Sequence, residues 1–167
     1  TINVDSATFT NSGSIAPGLS AGTLTISGNW ISTGTASLDI ELGGPNAGTE
    51  HDLLNIPGTG IITLDGNLNI SLINDYLPPS DQTFTILQTT GSITGTFDNV
   101  IGGVVIFPEG QFDVTINPTN VQLSNFVPAA DPTKMVADVI LSDLDLDQIF
   151  DGTPKPVTVT TDPAGLS

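Results

Sequence analysis

The sequence predicts an all-β protein, and three observations predict it. Thr, Ile and Val supply 51 of the 167 residues, and their branched side chains suit a pleated, half-buried surface. Apolar and polar residues alternate with period two through most of the chain, which sets one face of each strand against a core. The 18 glycines and 12 prolines, with frequent Asn, interrupt that alternation at short intervals and supply turns.

The strands follow in order. Leu24 and Ile26 point one way in the stretch Gly22 to Gly28, and Leu38, Ile40 and Leu42 do so in Ser37 to Leu42. Leu54 and Ile56, Ile62 and Leu64, and the trio Leu68, Ile70 and Leu72 repeat the pattern. Phe84 and Ile86 come next, then Ile93 to Phe97, Val104 to Phe107, Phe112 to Ile116 and Val121 to Leu123. A β-sandwich joins such strands by hairpins, for which Asp65-Gly66 and the segment Pro118-Thr119-Asn120 are the candidate turns. A parallel β-solenoid instead stacks rungs of roughly 20–30 residues, closed at Gly and Asn corners, with aliphatic residues inside and Thr, Ser, Asn and Asp outside. The N-terminal half fits the second pattern better, but no strict repeat aligns, and periodicity alone leaves both open.

Composition narrows the function classes. Two Lys and no Arg stand against 18 Asp plus Glu, a net charge of −16. Such a surface repels phosphate backbones and anionic membranes, so neither nucleic acid nor membrane insertion is expected. Charged residues make up 12% of the chain and hydrophobic ones 38%, a balance foreign to acidic disorder. Cysteine is absent, which removes disulfides and thiolate metal sites. No apolar run approaches the ~20 residues of a membrane helix. The lack of an initiator Met and of a signal peptide reads as a mature or excised segment.

The run Asn11-Ser12-Gly13-Ser14-Ile15-Ala16-Pro17-Gly18-Leu19-Ser20-Ala21-Gly22-Thr23-Leu24 resembles the "PGxSxGTL" stretch of bacterial autotransporter-type and adhesin-type passengers. Gly48 to Gly58, Asp65 to Leu72, and Thr83 to Leu87 with Gly95-Thr96-Phe97 resemble later elements of that family, in its order. The resemblance implies a short right-handed parallel β-solenoid with a terminal β cap over residues 1–127. No membrane barrel follows, so self-transport is not implied. Residues 128–134 read as a Pro-containing linker. Beyond it, Phe150-Asp151-Gly152-Thr153-Pro154-Lys155 is similar to the opening of an MBG-type, immunoglobulin-like repeat, which makes 135–167 an incomplete Ig-like β segment.

Candidate chemistry is sparse. His51 is the sole histidine, flanked by Glu50 and Asp52. Neighbours along a strand face opposite ways, so Asp52 is poorly placed to orient it in a catalytic triad. A polysaccharide-active enzyme would use paired carboxylates in an aromatic groove, whereas Trp30 and Tyr76 are the only Trp and Tyr and Arg is missing. Asp143, Asp145 and Asp147 alternate with Leu144 and Leu146, which places three carboxylates on one strand face. That is a solvated face or, if any metal binds, a Ca²⁺ site, although Gln148 stands where a calcium loop of the EF-hand type needs Gly. Lys134 and Lys155 could form isopeptide cross-links with an Asn or Asp, which would need a buried Lys beside a buried acid, and Lys155 between prolines suits a turn. The expectation is a non-enzymatic, extracellular structural protein of a bacterial surface, part of an adhesin, fibre or matrix. Head-to-tail polymerisation, with residues 135–167 completing a neighbouring copy by strand addition, would make it a homopolymer. A carbohydrate- or host-surface-binding module is the alternative, and a polysaccharide-active enzyme the third reading.

Overall fold

Alternation becomes ladders. The computed structural model describes residues 1–130, together with the backbone of Asp138–Ile140 and Thr160–Asp162. The fold is all-β, with no helix among the described residues. The strands in chain order are β1 (Ile2–Asn11), β2 (Ser14–Ile15), β3 (Thr23–Ser32), β4 (Ser37–Leu42), β5 (Leu53–Ile56), β6 (Ile61–Leu64) and β7 (Asn67–Leu72). They continue as β8 (Phe84–Thr89), β9 (Ser92–Gly95), β10 (Val104–Phe107), β11 (Gly110–Ile116), β12 (Asn120–Pro128), β13 (Asp138–Ile140) and β14 (Thr160–Asp162). The chain divides into two units, Thr1–Ala129 and Ala130–Ser167.

In the first unit, strands up to β9 pair in parallel. One ladder runs β1, the end of β3, β6, β9. A second runs from the start of β3 through β5 to β8. The third is β2, β4, β7, a separate sheet. Because β3 belongs to two ladders, the first two merge into one nine-stranded sheet that curls as a half-barrel with mixed strand directions. The sequence signal behind this is like meeting like: Leu38, Ile40 and Leu42 pair in register with Leu68, Ile70 and Leu72, 30 residues on. Trp30 likewise pairs with Ile62, and Ile62 with Ile93. These rows point inward and, apart from the half-buried Leu72, are buried, forming one continuous core with Leu54, Leu87 and Phe84. Buried aliphatic side chains of this size contribute about 1.5–3 kcal/mol each.

The two ends of the ladders differ. After β9 the chain reverses into an antiparallel meander, β10–β11–β12, and β12 pairs antiparallel with the free edge of β8. The turn at Pro118-Thr119-Asn120 is the expected hairpin. The β9 edge meets the Pro118 carbonyl through the Ile93 N–H, 2.9 Å. At the β7 edge, Asn99 takes the place of a strand: its Oδ1 accepts from the Leu68 N–H at 2.9 Å and its Nδ2 donates to the Leu68 carbonyl at 2.8 Å. At the opposite end, β1 pairs only with β3 and β2 only with β4 among the described residues.

Asp65-Gly66 is not a hairpin turn, and that expectation is corrected. Gly66 has a left-handed φ of 72°, as a primed turn would need, but the chain uses it as a corner. A side chain there would collide with the Ala36 and Thr33 carbonyls. The strands on either side, β6 and β7, join different ladders in parallel instead of pairing with each other.

In the second unit β13 and β14 pair antiparallel, from Asp138 against Asp162 to Ile140 against Thr160. The expected linker 128–134 past Ala130, and the Ig-like segment 135–167 apart from these two strands, lie outside the described residues.

Candidate functional site

The sequence points first to His51 and Asp52, and both are buried. They close the loop Gly43 to Glu50 between β4 and β5. Glu50 ties that loop by accepting from the Asn46 N–H at 3.0 Å and its Nδ2 at 2.6 Å. His51 Nδ1 lies 3.0 Å from the Gly44 carbonyl oxygen and Nε2 lies 3.3 Å from that of Thr85. The ring stands edge-on to Phe84, centroids 5.2 Å apart. Both ring nitrogens thus face backbone, and none faces a serine. The Asp52 carboxylate accepts the Gly22 N–H at 2.8 Å and the Glu41 N–H at 2.9 Å, joining the entries of β3 and β5 to β4. Burial pushes its carboxyl above the ordinary value of 3.8, against the lowering effect of those two donors. This corner is a staple.

Asp143, Asp145 and Asp147, and with them Lys134 and Lys155, lie outside the described residues. Among the described residues no cluster of three or more His, Asp or Glu side chains could hold a metal ion. Trp30 is fully buried and offers no open stacking surface, and Tyr76 is half-buried and packs perpendicular to Phe84 at 6.3 Å.

A second corner does present chemistry to solvent. The register of β1 against β3 shifts between Asn3 and Thr8. At this bulge Asp5 adopts a left-handed φ of 52°, and its N–H donates to Asn3 Oδ1 at 2.9 Å. That conformation costs a residue with a Cβ about 1–2 kcal/mol. Opposite stands Gly28, φ 124°, where a side chain would collide with Val4 and crowd the Asp5 and Ala7 carbonyls. Below it, Gly60 packs on the Gly28 carbonyl and Gly91 on the Gly60 carbonyl, too close for any Cβ. The Thr90 hydroxyl fastens the Pro57–Gly60 loop by bonding the Gly58 carbonyl and N–H at 2.8 and 2.9 Å. The result is an open cleft of about 470 Å³ lined by Asp5, Ser6, Ser27, Asn29 and Thr59 with glycine backbone between them.

Next to the cleft runs the outer surface of the first ladder. Thr8 pairs with Asn29, Ile61 with Ser92, and Thr10, Ile31, Thr63 and Thr94 form a row. These eight positions carry no charge in a chain of net −16, and Ile61 is 55% exposed. The outer surface of the third ladder is different: it carries Asp39 and Glu41, and Asp39 accepts from Ser14 Oγ and, at 2.8 Å, from Asn69 Nδ2.

The chain matches no known family, no curated protein and no solved structure. Its site is therefore read from geometry alone. The cleft residues share no motif, and residues 5–6, 27–29 and 57–60 meet only through parallel stacking. The signal that marks them is the spacing of Gly28, Gly60 and Gly91, nearly the interval of the core rows.

Proposed function

We propose that the chain is a structural segment of an extracellular bacterial surface protein, an adhesin, fibre or matrix component of the passenger type its sequence resembles. In this reading the parallel ladders are the rungs of a short right-handed β-solenoid, and the β10–β11–β12 meander is its cap. The observation that carries the reading is the contrast between the ends. Every ladder is met at the meander end, by β12, Asn99 or Pro118. At the other end β1 offers ten residues of edge with no partner among the described residues. Unpaired edges recruit strands from neighbours, so copies associate head to tail with residues 135–167 of one adding to the open end of the next. The burial of His51 between the Gly44 and Thr85 carbonyls supports a non-catalytic role.

Electron microscopy with light-scattering mass, on the full chain and on a chain ending at Ala130, tests this. The full chain should form regular assemblies and the shortened one should not. Equal assembly by both would remove the tail from the account. A monodisperse full-length monomer would end the head-to-tail reading.

A further inference from the structure

The geometry points to the cleft at the β1 bulge as a binding site for a neutral sugar, the Asp5 carboxylate accepting hydrogen bonds from two vicinal hydroxyls. A longer glycan would continue over the uncharged rows beside it. This goes beyond the structural role above and does not depend on assembly.

The cleft's volume of about 470 Å³ falls within the roughly 300–1,000 Å³ of small-molecule pockets. Its lining supplies the hydroxyls of Ser6, Ser27 and Thr59, the Asn29 amide and glycine backbone around one carboxylate. Hydroxyls both donate and accept, and a carboxylate accepts twice, so a polyol satisfies this lining best. Asn29 Oδ1 already accepts the Ile61 N–H at 2.9 Å, while its Nδ2 has no hydrogen-bond partner among the described residues. Other ligand classes fit less well. Anions meet both Asp5 and a net charge of −16. A divalent cation such as Ca²⁺ needs roughly six to eight oxygen ligands, and Asp5 is the only acidic residue in the lining.

Asp5 itself is presented. Its backbone is pinned by the Asn3 side chain in a conformation that residues with a Cβ seldom adopt, a feature that collects at ligand clamps. Its carboxylate has no hydrogen-bond partner among the described residues and is exposed. The cleft also adjoins the neutral surface, because Asn29 belongs to both and accepts the N–H of Ile61, the first residue of that surface after Gly60. There Thr8, Thr10, Ile31, Thr63 and Thr94 place methyl groups and hydroxyls on strands about 4.8 Å apart, matching the mixed CH and OH faces of a glycan. No aromatic ring lines the cleft, so the affinity expected is millimolar.

Amide NMR titration of the full chain with cellobiose, lactose and N,N′-diacetylchitobiose, at low and high salt, decides the matter. At least one should give saturable, salt-independent shifts at Asp5, Ser6, Ser27 to Asn29 and Thr59 to Ile61. Asp5→Asn should weaken that sugar about tenfold without lowering the unfolding temperature, and Thr59→Val should weaken it severalfold. Saturable shifts elsewhere, shifts indifferent to Asp5→Asn, or none with any of the three would overturn the proposal. Glucosamine binding that salt abolishes, with the three neutral sugars silent, would make this a cation site and overturn it equally.

Discussion

Asp52 stands at the entry to β5 and Asp5 at the bulge of β1, and they differ in what their carboxylates touch. Asp52 is enclosed, and both oxygens are taken by backbone N–H groups, one from Gly22 just before β3 and one from Glu41 in β4. Asp5 is exposed, its main chain held and its side chain unengaged among the described residues. The same functional group therefore serves as an internal tie in one place and as a presented acceptor in the other. What separates them is the supply of unpaired backbone donors. The chain must satisfy Gly22 and Glu41 somewhere, because buried N–H groups without partners are costly, and Asp52 is spent on them.

The largest effect that follows is at the staple. Asp52→Ala leaves two enclosed donors bare and should cost about 4 kcal/mol in denaturant unfolding, whereas Asp5→Ala should stay within about 0.5 kcal/mol. Similar losses at the two sites would abolish the distinction. Asn99 is a neutral version of the staple, spending both amide groups on Leu68. Asn99→Ala should cost about 2 kcal/mol, and amide exchange at Leu68 should quicken before that of Ile40.

The pH dependence sharpens the contrast further. Burial raises the Asp52 carboxyl in the folded state above its unfolded value near 3.8, so the folded chain binds that proton more readily. Its contribution to stability accordingly rises as pH falls from neutral toward 4, and is lost as pH rises through the folded-state titration. One proton limits the slope to about 1.4 kcal/mol per pH unit. The unfolding temperature of the wild type, measured across that window, should rise relative to that of Asp52→Asn as pH falls. Parallel curves would refute the assignment. The smallest expected change is for Asp5→Asn, whose melting curve should superimpose on the wild type while its cleft loses the sugar.

Much of the fold could be read from the residues. Leu38-Ile40-Leu42 and Leu68-Ile70-Leu72 announce strands with one buried face, and Pro118 to Asn120 announces a hairpin. Alternation alone left strand direction open, because parallel and antiparallel pairs bury the same alternating rows, although the N-terminal half fitted the parallel pattern better. Asp65-Gly66 misled for a related reason: a left-handed glycine serves a corner as well as a primed turn, and only the partners of β6 and β7 tell which. The cleft was less legible still. Asp5 and Thr59 are 54 positions apart in a chain with no strict repeat, and Asp5 reaches its position through a bulge that no local pattern marks. His51 drew notice as the lone imidazole, yet its setting is defined by carbonyls on Gly44 and Thr85 that composition cannot reveal.

The in-register rows of β4 and β7 carry a consequence for inheritance. Leu38 and Leu68 are equivalent positions 30 residues apart, so excising 38–67 would join Ser37 to Leu68 and let β7 take the place of β4 with every inward side chain still inward. Excising one residue fewer would reverse the phase and turn leucines to water. Length changes in this region are thus expected to be tolerated only where they preserve the pairing phase of β4 and β7.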